Sequence, residues 1–292
     1  EYVAGVDENN VEQVLEDIIK AGADIIFCVG PQMMPNSLKV AVEHPEVYIL
    51  NCSLNAPHPY IRTYYGRMYE AKFLAGMIAG AVTDNERVAY IADYPIYGMI
   101  ANINAFALGV ASVNPRAKVY LAWSKTKDYD RNKFLTENDL HYVSDQDIIT
   151  PNDASRYFGL YKLQDGQALN LAMPIWNWGV FYEKLLQSVL AGSYKAEGQE
   201  QVKALNYWWG MSAGVIDLIC SKHVPYGVKR LADHLKSDIT KGEVVPFFGQ
   251  IYDQKGELKN KGEHEMKPSD IMKMDWLVDN VVGSIPPMSE FV

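Results

Sequence analysis

The stretch that most constrains this chain is residues 87–123, RVAYIADYPIYGMIANINAFALGVASVNPRAKVYLAW. A short, uniformly apolar run from Val88 to Ala92 reads as a strand, and a polar-aromatic loop follows it. An amphipathic helix comes next, then a turn at Asn114-Pro115 and a second apolar strand from Val119 to Trp123. Strand, helix and strand in that spacing make one βαβ unit, since two parallel strands need a crossover of this length. The loop at the carboxyl end of the first strand is where such units usually hold a ligand, and Asp93 and Tyr94 open that loop.

The same alternation runs through the rest of the chain. Val11, Val14, Leu15, Ile18 and Ile19 form one stripe at helical spacing, with Gly22 as the stop. Asp24–Val29 is short and uniformly apolar, as a buried parallel strand is, and Val47–Asn51 repeats the pattern after a helix around Ser37–Glu43. A long helix is expected from Tyr64 to Val82, with small residues at Ala71, Ala75, Gly76, Ala79 and Gly80 that permit close packing. Thr83-Asp84-Asn85 breaks it and marks the expected edge of a first lobe. Beyond Trp123 a short helix, an extended piece in HYVSDQDIITPND and a strand in YFGLYKL are expected. LNLAMPIWNWGVFYEKLLQSVLAG then switches from strand to helix and returns the chain to the first lobe. Pro225 starts an amphipathic helix that stops at Gly242. At 292 residues two cores are the natural division. The expected fold is α/β, with two doubly wound parallel-sheet lobes, 1–86 with 173–205 and 87–172 with 206–243, joined by crossover strands. Residues 244–292 are expected to wrap around both.

Composition narrows the function. Apolar residues make up 48% of the chain and charged ones 22%, globular values, and no run reaches the roughly 18 apolar residues of a membrane helix. A net charge of −9 is wrong for a nucleic-acid groove, which sets cations against phosphates, so no nucleic acid is expected as a partner. Cys28, Cys52 and Cys220 each end an apolar run and read as buried thiols; a cytosolic protein and a disulfide-free extracytoplasmic one fit them equally. No phosphate-binding GxxxxGK loop, GxGxxG, HExxH, GxSxG or CxxC occurs, and the six histidines stand at no metal-ligand spacing. Neither catalysis nor a metal nor a cofactor is indicated.

Aromatic residues instead concentrate where strands end or the chain crosses over: Tyr94, Tyr97, Trp123, Tyr161, Trp176, Trp178, Phe181, Tyr182, Tyr207, Trp208 and Trp209. Rings so placed suit a flat ligand, because stacking on an aromatic stabilises a bound base by about 1–3 kcal/mol. As large core fillers, the same residues need no ligand at all. Asp93, Asn51, Ser53, Asp145, Asp147 and Asn177 lie close to these rings in sequence and can read the edge of a heterocycle, or serve only as caps and turn residues.

RMYEAKFLAGMIAG, VAYIADYPIYGMIANINAFALGVASVNP, IWNWGVFY, PFFGQIYDQKG and MDWLVDNVVGSIP occur in this order and resemble successive signature segments of the basic membrane lipoprotein family. These are purine-nucleoside-type solute-binding proteins of ABC importers with the type I periplasmic-binding-protein fold. The resemblance implies two α/β lobes that close on one small molecule, an ABC permease as partner, an extracytoplasmic and lipid-anchored location, and no catalysis. Position by position it points to the segment after VAYIA, with Asp93 and Tyr94, to Trp123, to the loop bearing Asp147 and to Trp178 as facing the cleft. With Tyr161, Trp176 and Asn177 from the residue reading these are the expected ligand-binding residues, Tyr94 and Trp178 stacking and Asp147 and Asn177 reading edges. The family's first strand and its loop are not among these residues, and the helix after Trp123 looks shorter than the family's. Where the family's sugar-associated Gly-x-Asp-Ser-Asp pattern stands, this chain has Gly159-Leu160-Tyr161-Lys162-Leu163, which favours a free base or flat heterocycle over a riboside. A ligand-sensing module of a regulatory protein with the same fold is the alternative.

Overall fold

Val11 and Leu15, one helical turn apart, are buried along α1 (Val11–Lys20), with Ile18 and Ile19 packed at the edge of the same stripe. They share a core with Ile26 and Cys28 of β1 (Ile25–Cys28), with Met34, Val40 and Ala41 of α2 (Met34–Glu43), and with Ile49 of β2 (Tyr48–Cys52). This computed structural model describes residues 1–55, 58–96, 98–147, 155–192 and 206–292. Tyr97 and the end of the HYVSDQDIITPND piece lie outside them.

The chain builds one unit from Glu1–Gly66 and Trp178–Trp209 and a second from Arg67–Asn177 and Gly210–Val292. After β3 (Ile61–Gly66) it enters the second unit for α3 (Tyr69–Val82), β4 (Arg87–Ala92), α4 (Met99–Val113), β5 (Lys118–Trp123), α5 (Arg131–Glu137), β6 (Tyr142–Ser144), β7 (Leu160–Gln164) and β8 (Gln167–Trp176). It returns to the first unit for α6 (Trp178–Leu190) and β9 (Asn206–Trp209). The second unit is completed by β10 (Ile216–Cys220), α7 (Tyr226–Lys241), β11 (Gln250–Tyr252), β12 (Leu258–Lys261), α8 (Pro268–Met272) and β13 (Val281–Val282). The first unit's sheet, in the order β1-β2-β3-β9, is parallel throughout. The second unit's sheet runs β10-β8-β7-β6-β4-β5-β13. Around β4 it is parallel, while β7, β8 and β10 join antiparallel.

Four expectations are corrected. Tyr64–Gly66 is not helical: with Ile61, Arg62 and Thr63 it forms β3, a β-branched and aromatic run directly abutting a helical pattern. The first unit ends at Gly66, not at Thr83–Asn85, because α3 packs on α4 of the second unit. A Cβ on Gly76 would come within 2.0 Å of the Phe106 carbonyl oxygen, and one on Gly109 within 2.0 Å of that of Phe73. Contact this close needs glycine on each side. The second sheet is mixed because Asp165-Gly166, both at positive φ, make a tight hairpin turn between β7 and β8. Finally, the tail, expected as a separate segment, falls within the second unit. β13 pairs with β5, Asn280 Nδ2 donates to the Ala107 carbonyl at 2.8 Å, and Asn104 bonds to both Trp276 and Val278.

Candidate functional site

β4 and β5 run parallel in register, with Ala92 opposite Trp123, and Tyr90 of β4 stands opposite Ser144 of β6. Asp93-Tyr94, Ser124 and Asp145–Asp147 therefore leave the sheet at one edge, its carboxyl end. Asp93 is exposed and accepts a hydrogen bond from the Ser124 hydroxyl. Tyr94 is half-buried; its hydroxyl donates to the Val292 carbonyl at 2.7 Å, and its ring lies 5.6 Å from that of Phe291. Trp123 is 5% exposed, its Nε1 donates to the Ser284 carbonyl at 2.8 Å, and Phe291 meets it edge-on at 5.8 Å. The last residues are tied to the β5 loop by backbone bonds, Lys127 N to Glu290 O at 3.2 Å and Val292 N to Lys125 O at 2.9 Å. Tyr94, Trp123 and Phe291 thus form one wall of three rings.

The loop after β6 leads into a buried polar network of the same unit. Asp145 Oδ2 accepts from Arg131 Nη1 at 2.8 Å and from the Tyr161 hydroxyl at 3.0 Å. Arg131 also reaches the Tyr161 hydroxyl, and its guanidinium carbon lies 4.0 Å from the Tyr157 ring centre. Burial and the Asp145 carboxylate both push the Tyr161 phenol far up, so it is a fixed donor. Lys72, in the first turn of α3 and 1% exposed, donates to Asp147 Oδ1 at 2.6 Å, to Ser144 Oγ at 3.2 Å and to the Asp145 carbonyl at 3.4 Å. Its ammonium also lies 5.0 Å from the Tyr90 ring centre. Burial raises the Asp147 carboxyl above the usual range, Lys72 pulls it down, and Asp145 and Asp93 add to the rise.

The remaining predicted residues separate. Asn177, after β8, closes a turn, its amide donating to the Gly214 carbonyl at 3.1 Å and its backbone N–H to that of Val215 at 2.7 Å. Trp176 is half-buried, and its buried Nε1 has no partner among the described residues. Trp178 opens α6 in the first unit and joins an aromatic cluster, edge-on to Tyr64 at 5.7 Å and stacked near Tyr182 at 6.5 Å. So the second unit brings Asp93, Tyr94 and Trp123 together at the ends of β4 and β5 and takes Asp147 and Tyr161 into the buried polar network, with Trp176 and Asn177 at the end of β8. Lys72, Arg131 and Phe291 were not read from sequence. Lys72 could have been, since a lysine inside the apolar run EAKFLAGMIAG must find a buried anion or break the stripe. A groove of about 460 Å³ lined by Phe73, Leu108, Val244, Pro246 and Phe248 also lies in the second unit, and it includes none of the residues predicted to bind ligand. No group of three or more His, Cys, Asp and Glu side chains among the described residues is arranged to hold a metal ion, and no helix there is long and apolar enough to cross a membrane.

Two α/β units built on largely parallel sheets are the fold of type I periplasmic-binding-protein-like structures, and the family whose model the chain matches is one of transporter substrate-binding proteins, not enzymes. Residues 1–157 match the model of the family described as ABC transporter substrate-binding protein PnrA-like, and the chain belongs to that family. A purine-binding protein of Brucella abortus is 26% identical over 290 residues, covering 95% of this chain and 81% of its own length. A putative ABC transporter glucose-binding protein of Haloferax volcanii is 29% identical over 228 residues, covering 74% of this chain, which spans 56% of that relative. Among solved structures, a transcriptional activator of the comK gene from Bacillus halodurans aligns with a TM-score of 0.63 at 13% identity, over 82% of this chain and 87% of its own. An ABC transporter solute-binding protein from Conexibacter woesei aligns at 0.58 and 18%, over 82% and 84%. At those identities the structural likeness speaks for fold alone.

Proposed function

We propose that this chain captures a purine-like base or nucleoside and delivers it to an ABC permease, acting on the extracytoplasmic side of a membrane with a lipid anchor as its attachment. The observation that carries the solute class is the half-buried Tyr94 ring beside the exposed carboxylate of Asp93 at the carboxyl end of the second unit's sheet, with Asp147 on the loop after β6. A flat heterocycle stacks on such a ring while its N–H groups meet carboxylates. Similarity to the Brucella purine-binding protein over nearly the whole chain supports the same solute, while the name of the Haloferax relative supports a sugar. Tyr161 and its neighbours, standing where the family pattern has sugar-associated carboxylates, favour the base.

Calorimetry and thermal unfolding against hypoxanthine, adenine, inosine, uracil and glucose test this. A solute at 100 times its Kd adds about 2.7 kcal/mol of stability, a shift easily read. Binding of the purines with none of uracil or glucose is the expected result. A response to glucose alone replaces the purine by a sugar, and a flat response across the panel ends the reading. Purine uptake by cells lacking this protein then separates transport, where uptake falls, from sensing, where it does not.

A further inference from the structure

We propose that Lys72 is a positioning residue for solute recognition, clamping Asp147 by one carboxylate oxygen so that the other stands as a single fixed acceptor for an N–H donor of a neutral heterocycle. This rests on the purine reading above and adds to it the residue that orients the acceptor. Lys72 Nζ takes Asp147 Oδ1 at 2.6 Å, and its other donors go to Ser144 Oγ and the Asp145 carbonyl, so the ammonium is fully engaged inside the unit. Among the described residues none bonds to Asp147 Oδ2. The lysine side chain is 1% exposed and the aspartate 11%, so of this pair the aspartate side chain and not the ammonium reaches the surface.

The clamp does two things that an unassisted carboxylate cannot. It fixes the direction of the remaining lone pairs, which avoids the entropy of ordering a free side chain on binding. It also cancels the carboxylate's charge locally, so the exposed oxygen attracts a polar N–H without collecting cations. Lys72 comes from α3, Asp145 from the same loop and Asp93 from the β4 side; these act most strongly on Asp147, which in turn acts on the Tyr90 phenol, while Arg131 of α5 is taken up by Asp145. Lys72 is the lone cation of those three, and it opposes the upward push of burial and of the two carboxylates on Asp147.

The test measures hypoxanthine affinity by calorimetry for the full chain, K72M, D147N and the double variant, with the Asp147 carboxyl titrated by carbon-13 NMR without solute. K72M and D147N should each weaken hypoxanthine at least tenfold at pH 7, as loss of a hydrogen bond to a charged group does. The double variant should be no worse than D147N. K72M affinity should fall further between pH 8 and pH 6 while that of the unaltered protein stays level, and its Asp147 titration should move up. Unchanged affinity and titration in K72M, or losses that add in the double variant, overturn the proposal. Should K72M not fold, K72R serves in its place: it keeps the cation but not the geometry, and wild-type affinity in it overturns the proposal equally. If no purine binds the unaltered protein, the purine reading fails, and the solute-free titration alone decides the clamp: an upward shift in K72M upholds it and none ends it.

Discussion

A buried ionisable side chain has to find a partner or change its charge, and three buried carboxylates of this protein have found partners. Asp145 is held by Arg131 and Tyr161, Asp147 by Lys72, and Glu70 by Arg67 at 3.2 Å and by the Met211 N–H at 2.6 Å. Glu70 also explains a glycine: a Cβ on Gly210 would come within 2.2 Å of its carboxylate. At the surface the same chemistry gives a pH dependence. His44, at the end of α2, sets Nδ1 3.1 Å from Glu46 and Nε2 3.0 Å from Glu16, and these two hydrogen bonds raise its pKa above 6.5. A raised folded pKa means stability fully present below the unfolded value and lost as pH climbs through the folded one. The urea midpoint of the unaltered protein should therefore exceed that of His44→Gln more at pH 6 than at pH 8.5. A constant difference would show that the imidazolium is not held by its neighbours.

At the scale of elements, the α3–α4 contact sets the tightest tolerance. Gly76→Ala puts a methyl group against the Phe106 backbone, where nothing but a helix shift can relieve it, and should cost about 3 kcal/mol or more. Gly179→Ala, inside α6 with open space around it, should instead stabilise by about 0.5–1 kcal/mol. Chemical denaturation of the two variants side by side checks the contrast. How far these elements were legible depended on how local their cause was. The spacing of residues 87–123 foretold β4, α4 and β5, and Pro225 and Gly242 bracketed α7, because one period or one stop residue decided each. β3 escaped because its strand residues run straight into a helical stripe. The β7–β8 hairpin carried a readable Asp-Gly turn signal that the expectation of parallel strands obscured. The site was legible as residue types near strand ends. Its pairings were not, since Lys72 meets Asp147 across 75 residues and Tyr94 meets Val292 across 198.

The whole molecule is two units that share one chain, which passes between them after Gly66, Asn177 and Trp209. The second unit keeps its own cut ends together: Asn177 bonds by backbone and side chain to Val215 and Gly214. Residues 67–177 and 210–292 joined by a short Gly-Ser linker should thus fold as one body, giving a single cooperative thermal transition by far-UV circular dichroism; a broad, non-cooperative melt would show that the unit needs residues 178–209. The three-ring wall also has a consequence in time. Tyr94 leaves the ribosome long before Phe291 and Val292, and at about 5–20 residues per second the interval is roughly 10–40 s. Throughout it the nascent chain lacks the segment carrying Phe291, so the Trp123 ring, 5% exposed in the folded unit, stays open to chaperones until that segment has been made.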